Sequence, residues 1–136
     1  MPTAEEWNAL SGEWLPGLVG VEMLDVAGGR VVSRLTVRPQ VLAPNNYLHA
    51  ATVIALADTS CGYGTVASLP EGAEGFTTIE LKANFLGTVR EGGITCEATL
   101  AHGGRTTQVW DARVTDEATG RVVALFRCTQ MVLYPR

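Results

Sequence analysis

Apolar and polar side chains alternate most regularly between Phe76 and Leu86. The odd-numbered positions are Thr77, Ile79, Leu81, Ala83 and Phe85, and the even-numbered ones are Thr78, Glu80, Lys82 and Asn84. A period of two residues is typical of a β-strand with one buried face. The pattern predicts a strand whose odd-numbered residues face the core. Its even-numbered polar face then needs solvent or a partner.

Five further runs have the composition of strands and are separated by turn signals. Gly28-Gly29 separates the first two runs, and two later turns lie at 102–104 and 116–120. The predicted strands are Val19–Val26, Arg30–Val37, Thr95–Ala101, Thr106–Thr115 and Val122–Leu133. Because the connections are short, these strands are expected to pair antiparallel with their neighbours in sequence.

The longest apolar stretch runs from His49 to Ala67 and contains one carboxylate, Asp58. It is rich in alanine and glycine, has Asn45 and Asn46 as candidate N-caps, and stops before Pro70. A helix of this length spans roughly 28 Å, about the width of a small domain. Because the stretch is apolar nearly all round, we expect a helix buried at the centre of the fold.

A short amphipathic helix is predicted from Thr3 to Leu15. Thr3 and Glu6 have the spacing of a capping box. The apolar residues that share one helical face are Trp7, Leu10 and Trp14. We expect this face to pack on the rest of the domain, and a lid over a pocket is the alternative.

The order of predicted elements is a helix, two strands, a long helix and four strands. Six antiparallel strands can curl around one apolar helix and bury it. We therefore predict one α+β domain over residues 1–136, with a long central helix wrapped by a six-stranded antiparallel sheet and a short N-terminal helix. A chain of 136 residues is long enough to bury a sizeable core.

Two residues of the central helix are candidates for chemistry. A buried carboxylate is unfavourable unless it is paired or functional, which singles out Asp58. His49 lies nine residues earlier, so the two side chains lie on opposite helix faces and roughly 13 Å apart along the axis. Within one chain they cannot contact the same substrate atom. If both are catalytic, they come from different subunits.

Composition narrows the function classes. The net charge of −4 argues against broad nucleic-acid binding, although a local basic patch could still hold a phosphate. Cys61, Cys96 and Cys128 are far apart and form no CxxC motif, so we expect reduced core thiols and no metal site. The chain has no signal peptide and no run of 18 apolar residues, which favours a cytoplasmic protein without membrane contact.

Three stretches of the chain resemble a known family: LHAATVIALADTSCGYG, FTTIELKANFLGTVREG and GRTTQVWDARVTDEATGRVVALFRC. They are similar to hotdog-fold thioesterases of the phenylacetate-degradation, PaaI-like type, and the resemblance extends over about 18–133. The family pattern is a His-Gly-Gly helix start, an acid nine residues after the His, and a Ser or Thr two residues before a strand acid. Here these positions are His49, Asp58 and Thr78-Ile79-Glu80.

The resemblance implies hydrolysis of an aryl- or medium-chain acyl-CoA at the interface of a homodimer, with two dimers forming a homotetramer. Asp58 would be the general base or nucleophile, and Thr78 would orient the water. The backbone N–H of Ala50 would polarise the thioester carbonyl, supported by His49.

The resemblance also implies where CoA binds. Arg105, Thr106 and Thr107, which follow the Gly103-Gly104 turn, correspond to positions that contact the CoA phosphates. CoA is part of the substrate, so no separate cofactor is expected.

The sequence departs from the family pattern at three alanines. Ala50 and Ala51 replace the two glycines, and Ala43 stands where relatives carry Asn or Gln. Asn45 or Asn46 could contact the substrate in place of that side chain. Two alternative functions stay open: a hydratase or dehydratase acting on acyl thioesters with the same fold, and a non-catalytic acyl-CoA-binding module.

Overall fold

The computed structural model describes residues 1–136 and contains one six-stranded antiparallel sheet curled around a long helix, the predicted hotdog fold. The helices are α1 (Ala4–Ser11), α2 (Leu15–Val19) and α3 (Ala50–Ala67). The strands are β1 (Glu22–Ala27), β2 (Arg30–Thr36), β3 (Gly75–Phe85), β4 (Gly93–Gly103), β5 (Thr107–Asp116) and β6 (Val122–Leu133). The sheet order is β1-β2-β4-β5-β6-β3. None of the helices combines the length and apolar character needed to cross a membrane.

Pairing between sequence neighbours was predicted correctly for β1–β2 and for β4–β5–β6. The prediction was wrong for β3, which pairs with β6 at the far edge of the sheet. The connections on both sides of β3 carry the chain across the sheet, so β2 pairs with β4 instead. As a result, β1 and β3 are the two edge strands.

The small residues of α3 let the helix lie close to the sheet. Leu56, Ala57 and Cys61 are fully buried. A Cβ on Gly64 would lie 2.5 Å from the Trp110 ring, so only glycine fits at this contact. Helix and sheet are also joined by a 2.6 Å hydrogen bond between the buried hydroxyls of Ser60 and Ser33.

A β-bulge in β3 changes the predicted faces of this strand. The register with β6 shifts between Thr78 and Glu80, with Ile79 as the extra residue. Thr78 therefore pairs with Gln130 on the face toward α3, and Thr77 pairs with Met131 on the outer face. The alternation placed these two threonines on the opposite faces, because a sequence pattern does not reveal an extra residue in a strand.

The N-terminal helix is shorter than predicted. The capping box is confirmed, since the Glu6 N–H donates to Thr3 Oγ1 (3.1 Å) and the Thr3 N–H donates to Glu6 Oε1 (3.2 Å). The helix ends at Ser11 because Gly12 has a positive φ of 30°, and α2 starts after Trp14. Of the predicted apolar face only Trp7 is buried; Leu10 and Trp14 are exposed.

Candidate active site

Asp58 lies near the middle of α3 and has no partner for one of its oxygens. Its Oδ1 is buried and accepts no hydrogen bond. Because burial removes water from the charged form, the pKa of the Asp58 carboxyl is raised above its ordinary value. A carboxylate in this state is a stronger base than one in water, and a desolvated carboxylate is also a better nucleophile.

An open cavity of about 380 Å³ lies beside Asp58, a volume within the usual range for small-molecule sites. Thr78 lines the same cavity, so the structure brings these two predicted site residues together. Aromatic and apolar side chains form the walls: Trp7, Leu10, Tyr63, Val66 and Phe76. Trp7 stacks on Tyr63 with ring centroids 4.6 Å apart, which brings α1 over this cavity.

The start of α3 has different chemistry. His49 is the N-cap, and its Nδ1 accepts a hydrogen bond from the Ala51 N–H (2.9 Å). Its backbone carbonyl accepts from the Thr52 N–H. The N–H of Ala50, the first residue of the helix, donates to no group of the chain. A free N–H at a helix N-terminus is suited to bind a carbonyl oxygen that gains negative charge.

The prediction that Asn45 or Asn46 caps α3 was wrong. The chain makes a tight turn before the helix, in which the Ala43 N–H donates to the Tyr47 carbonyl (2.7 Å). Asn46 has a positive φ of 69°, and Asn45 Oδ1 accepts from the Tyr47 N–H (3.1 Å). Both asparagines therefore stabilise the turn, and the helix begins only after it.

A second cavity of about 470 Å³ opens at this helix start. It is lined mainly by apolar groups: Tyr47, Leu48, Ala50, Val53, Phe85, Gly87 and Thr88. Neither Asn45 nor Asn46 lines it, so their predicted contact with a substrate stays a prediction. Asp58 is also absent from this cavity, as expected from the opposite helix faces of His49 and Asp58.

The predicted CoA-binding residues lie around the turn between β4 and β5. The Arg105 guanidinium lies over the Tyr134 ring (5.6 Å), and the Tyr134 hydroxyl donates to the Arg105 carbonyl. Thr107 opens β5 and pairs with Met131, the residue that also pairs with Thr77. The turn is thus at the same end of the sheet as Thr78. The roles of Arg105, Thr106 and Thr107 stay predictions.

Sequence reasoning missed two buried glutamines near Thr78. Gln130 pairs with Thr78 on one side and with Gln108 on the other, and both glutamines are at most 1% exposed. The Thr78 hydroxyl donates to Gln130 Oε1 at 2.6 Å. The available signal was an amide at a core-facing position in each of two strands. No group of three His, Cys, Asp or Glu side chains is placed to hold a metal ion.

Comparisons with known proteins agree with this fold. A model of the Thioesterase superfamily matches residues 45–123. The 1,4-dihydroxy-2-naphthoyl-CoA hydrolase of Listeria monocytogenes is 34% identical over 111 residues, which cover 82% of this chain and 89% of that protein.

Solved structures of thioesterases are similar along almost the whole chain. A mutant thioesterase from Pseudomonas aeruginosa has a TM-score of 0.91 at 26% identity, covering 98% of this chain and 95% of that one. A thioesterase from Haemophilus influenzae has the same TM-score and identity, with 98% and 92% covered. This chain belongs to the thioesterase superfamily, has the hotdog fold and is a thioester hydrolase.

Proposed function

We propose that the protein hydrolyses acyl-CoA thioesters in a homodimer with two shared active sites. Each site combines Asp58 and Thr78 of one subunit with the N–H of the partner subunit's Ala50. The observation that carries this proposal is the separation of two incomplete half-sites on one helix: an unpaired carboxylate in one cavity and an unpaired helix N–H in another.

The position of β3 at the edge of the sheet indicates how the two half-sites combine. Thr78, near its start, lines the Asp58 cavity, and Phe85, at its end, lines the Ala50 cavity. Two copies of β3 paired antiparallel would bring the start of one strand beside the end of the other. Ile79, Leu81 and Phe85 are exposed along this open edge, as expected of a surface that another chain covers.

In the proposed reaction each group of the site has its own role. Asp58 either removes a proton from a water held by Thr78 or attacks the thioester carbonyl itself. The Ala50 N–H stabilises the oxyanion of the tetrahedral intermediate, a contribution of about 3–4 kcal/mol for one such donor. Collapse of the intermediate breaks the carbon–sulfur bond, and CoA leaves as the thiolate. On the general-base route the thiolate takes up the proton that Asp58 removed from water. On the nucleophilic route a water then hydrolyses the anhydride formed between Asp58 and the acyl group, which releases the acid and regenerates the carboxylate. His49 supports the site by fixing the first turn of α3.

The walls of the Asp58 cavity favour an apolar acyl group, either aryl or medium-chain. Trp7, Tyr63 and Phe76 present aromatic rings, and aromatic groups pack well on one another. The Listeria relative is named for a naphthoyl-CoA substrate, which supports the aryl choice. Arg105, Thr106 and Thr107 would bind the CoA phosphates at the same end of the sheet.

The decisive experiment measures thiol release from a panel of aryl- and alkyl-CoA esters, with wild type and Asp58→Asn side by side. We expect turnover by wild type and a roughly 100-fold or greater loss in the variant. The three cysteines are buried, so their reaction with the thiol reagent is measured separately as a background.

Four results would contradict the proposal. Turnover that survives in Asp58→Asn would remove Asp58 from the mechanism. A stable, active monomer by light scattering would exclude a shared site. Conversion of enoyl or hydroxyacyl thioesters without thiol release would favour a hydratase or dehydratase, and tight binding without turnover would favour a binding module.

A further inference from the structure

Two buried glutamines lie side by side in the sheet, and their hydrogen bonds differ. Gln108 Nε2 donates to the Ser68 carbonyl (3.0 Å), and Gln108 Oε1 accepts from Trp110 Nε1 (2.8 Å). Both ends of this amide are therefore hydrogen-bonded, one to the end of α3 and the other to a tryptophan of the core. Gln108 therefore has a structural role.

Gln130 has a hydrogen bond at one end only. Its Oε1 accepts from the Thr78 hydroxyl at 2.6 Å, whereas its Nε2 is buried without a partner. A buried amide with an unpaired N–H is unfavourable, and an apolar side chain of similar size would avoid this loss. The single contact that distinguishes Gln130 from such a side chain is its bond to Thr78.

That bond sets the direction in which Thr78 can hydrogen-bond. A hydroxyl has one hydrogen to donate and two lone pairs that accept. Because the hydrogen of Thr78 is donated to Gln130, the Thr78 oxygen can act only as an acceptor toward the cavity. Asp58 in the same cavity is an acceptor as well when ionised.

A water that attacks as a nucleophile is best held by two hydrogen-bond acceptors. Such a water can donate one hydrogen to the Asp58 carboxylate and the other to the Thr78 oxygen. Both of its lone pairs are then free, and one of them can attack the carbonyl carbon. If the Thr78 hydrogen pointed into the cavity instead, it would occupy one of these lone pairs and weaken the nucleophile.

We propose that Gln130 is a positioning residue for hydrolysis: its buried side-chain carbonyl holds the Thr78 hydroxyl as an acceptor for the attacking water. This inference rests on the proposed function, in which Thr78 orients that water. Gln130 itself contacts neither the water nor the thioester.

The test compares Gln130→Met with Gln108→Met, since the two glutamines are equally buried and directly paired. We expect Gln130→Met to lower kcat roughly tenfold, with KM changed by less than about twofold, because the loss affects water orientation and leaves binding intact. Gln108→Met should keep kcat within about twofold. It should also lower the midpoint of denaturant unfolding more, because it leaves Trp110 Nε1 and the Ser68 carbonyl unpaired.

A double-mutant cycle with Thr78→Val separates positioning from a general structural effect. If Gln130 acts through Thr78, Gln130→Met has no further effect on kcat once Thr78 has lost its hydroxyl. Independent effects that multiply in the double variant would overturn the inference. Gln130→Leu carries the same expectation as Gln130→Met should the methionine variant fail to fold.

The outcomes separate this inference from the proposed function. If Asp58→Asn abolishes turnover and Gln130→Met matches Gln108→Met in kcat, the proposed function stands and the role of Gln130 falls. If Thr78→Val alone leaves kcat unchanged, Gln130 has nothing to position and the inference falls as well. If Asp58→Asn retains turnover, both fall.

Discussion

Asp58 illustrates how one residue can weaken the fold and serve the chemistry. Its desolvation disfavours the charged form, and no hydrogen bond to Oδ1 offsets this. In the folded protein the pKa is therefore raised, whereas in the unfolded chain it has its ordinary value. Between these two values the folded state holds the extra proton, so stability falls as pH rises through that window.

Asp58→Asn should therefore be more stable than wild type at neutral pH, although it is inactive. The advantage should disappear in acid, below the ordinary pKa of aspartate, where Asp58 is protonated in both states. Denaturant unfolding at acidic and neutral pH, at one fixed protein concentration, measures this difference.

Asp111→Asn is a control for which the expected change in stability at neutral pH has the opposite sign. The Arg127 guanidinium bonded to Asp111 lowers the pKa of that carboxyl, so its stabilisation is present at neutral pH and lost as pH falls. The Asp111 variant should lose a little stability at neutral pH, as expected for an exposed pair. A neutral-pH loss in Asp58→Asn would contradict the desolvation argument.

Site residues could be identified from the sequence where they lie in a regular helix or at a fixed spacing in a strand. Asp58 was visible because it is the one carboxylate in an apolar helix, and Thr78 because of its spacing to Glu80. The face of Thr78 was predicted wrongly, since the bulge at Ile79 has no sequence signature. Gln130 was missed because its importance comes from a pairing between β3 and β6, two strands that are far apart in the chain.

At the scale of elements, α3 connects the two half-sites through its own geometry. Its N-terminal N–H groups lie at one cavity, and Asp58, about two turns further on, faces the other. The helix itself was predicted to within one residue from its apolar run. Its cap was not, because the turn from Ala43 to Tyr47 delays helix entry until His49.

Ala50→Pro should remove the oxyanion donor without breaking α3. Proline is favoured at the first helical position, and the Ala50 N–H that it deletes has no partner in the chain. The preceding His49 has φ −67° and ψ 135°, a conformation that proline tolerates in its neighbour. We expect kcat to fall about 100- to 1,000-fold with little change in the unfolding midpoint.

Ala50→Gly is the matched control, because it keeps the N–H at the same position. It should retain turnover within a few-fold of wild type, which thiol release measures directly. Equal losses in the proline and glycine variants would mean that the N–H of residue 50 has no role in the reaction.

Gly64→Ala should destabilise the contact between α3 and the sheet. Alanine normally favours a helix over glycine by about 1 kcal/mol, but the added Cβ would lie 2.5–2.9 Å from three atoms of the buried Trp110 ring. We expect a net loss of about 1–3 kcal/mol from overpacking, measured by denaturant unfolding. Gly62→Ala meets Phe76 Cζ at 3.2 Å, so its loss should be smaller. The reverse ranking would mean that Trp110 can move aside.

At the scale of the whole molecule, the two edges of the sheet differ in how far they are covered by the rest of the chain. The α1 helix packs beside β1, where the Asn8 side chain accepts from the Met23 N–H (2.6 Å) and donates to the Met23 carbonyl (3.0 Å). The β3 edge has no such cover and exposes apolar side chains. The need for a partner could be inferred from sequence, because His49 and Asp58 cannot meet in one chain. Which edge receives the partner could be inferred only from the order of the strands in the sheet.

A shared site makes a prediction about mixtures of two inactive proteins. Ala50→Pro retains Asp58, and Asp58→Asn retains the Ala50 N–H. In a heterodimer of the two, one site combines the intact Asp58 with the intact N–H, and the other combines both defects. Because random exchange of subunits gives half heterodimers, each with one intact site, unfolding and refolding the variants together should restore about a quarter of wild-type turnover.

Mixing without subunit exchange is the control and should restore nothing. Refolding each variant alone should also leave it inactive, since every site then carries the same defect. Activity that stays absent after co-refolding into dimers would mean that Asp58 and Ala50 of the same chain serve one site. Such a result would need a fold in which α3 bends to join its two faces. The structure argues against it, because α3 is one unbroken helix from Ala50 to Ala67 and buries Leu56, Ala57 and Cys61 in the core.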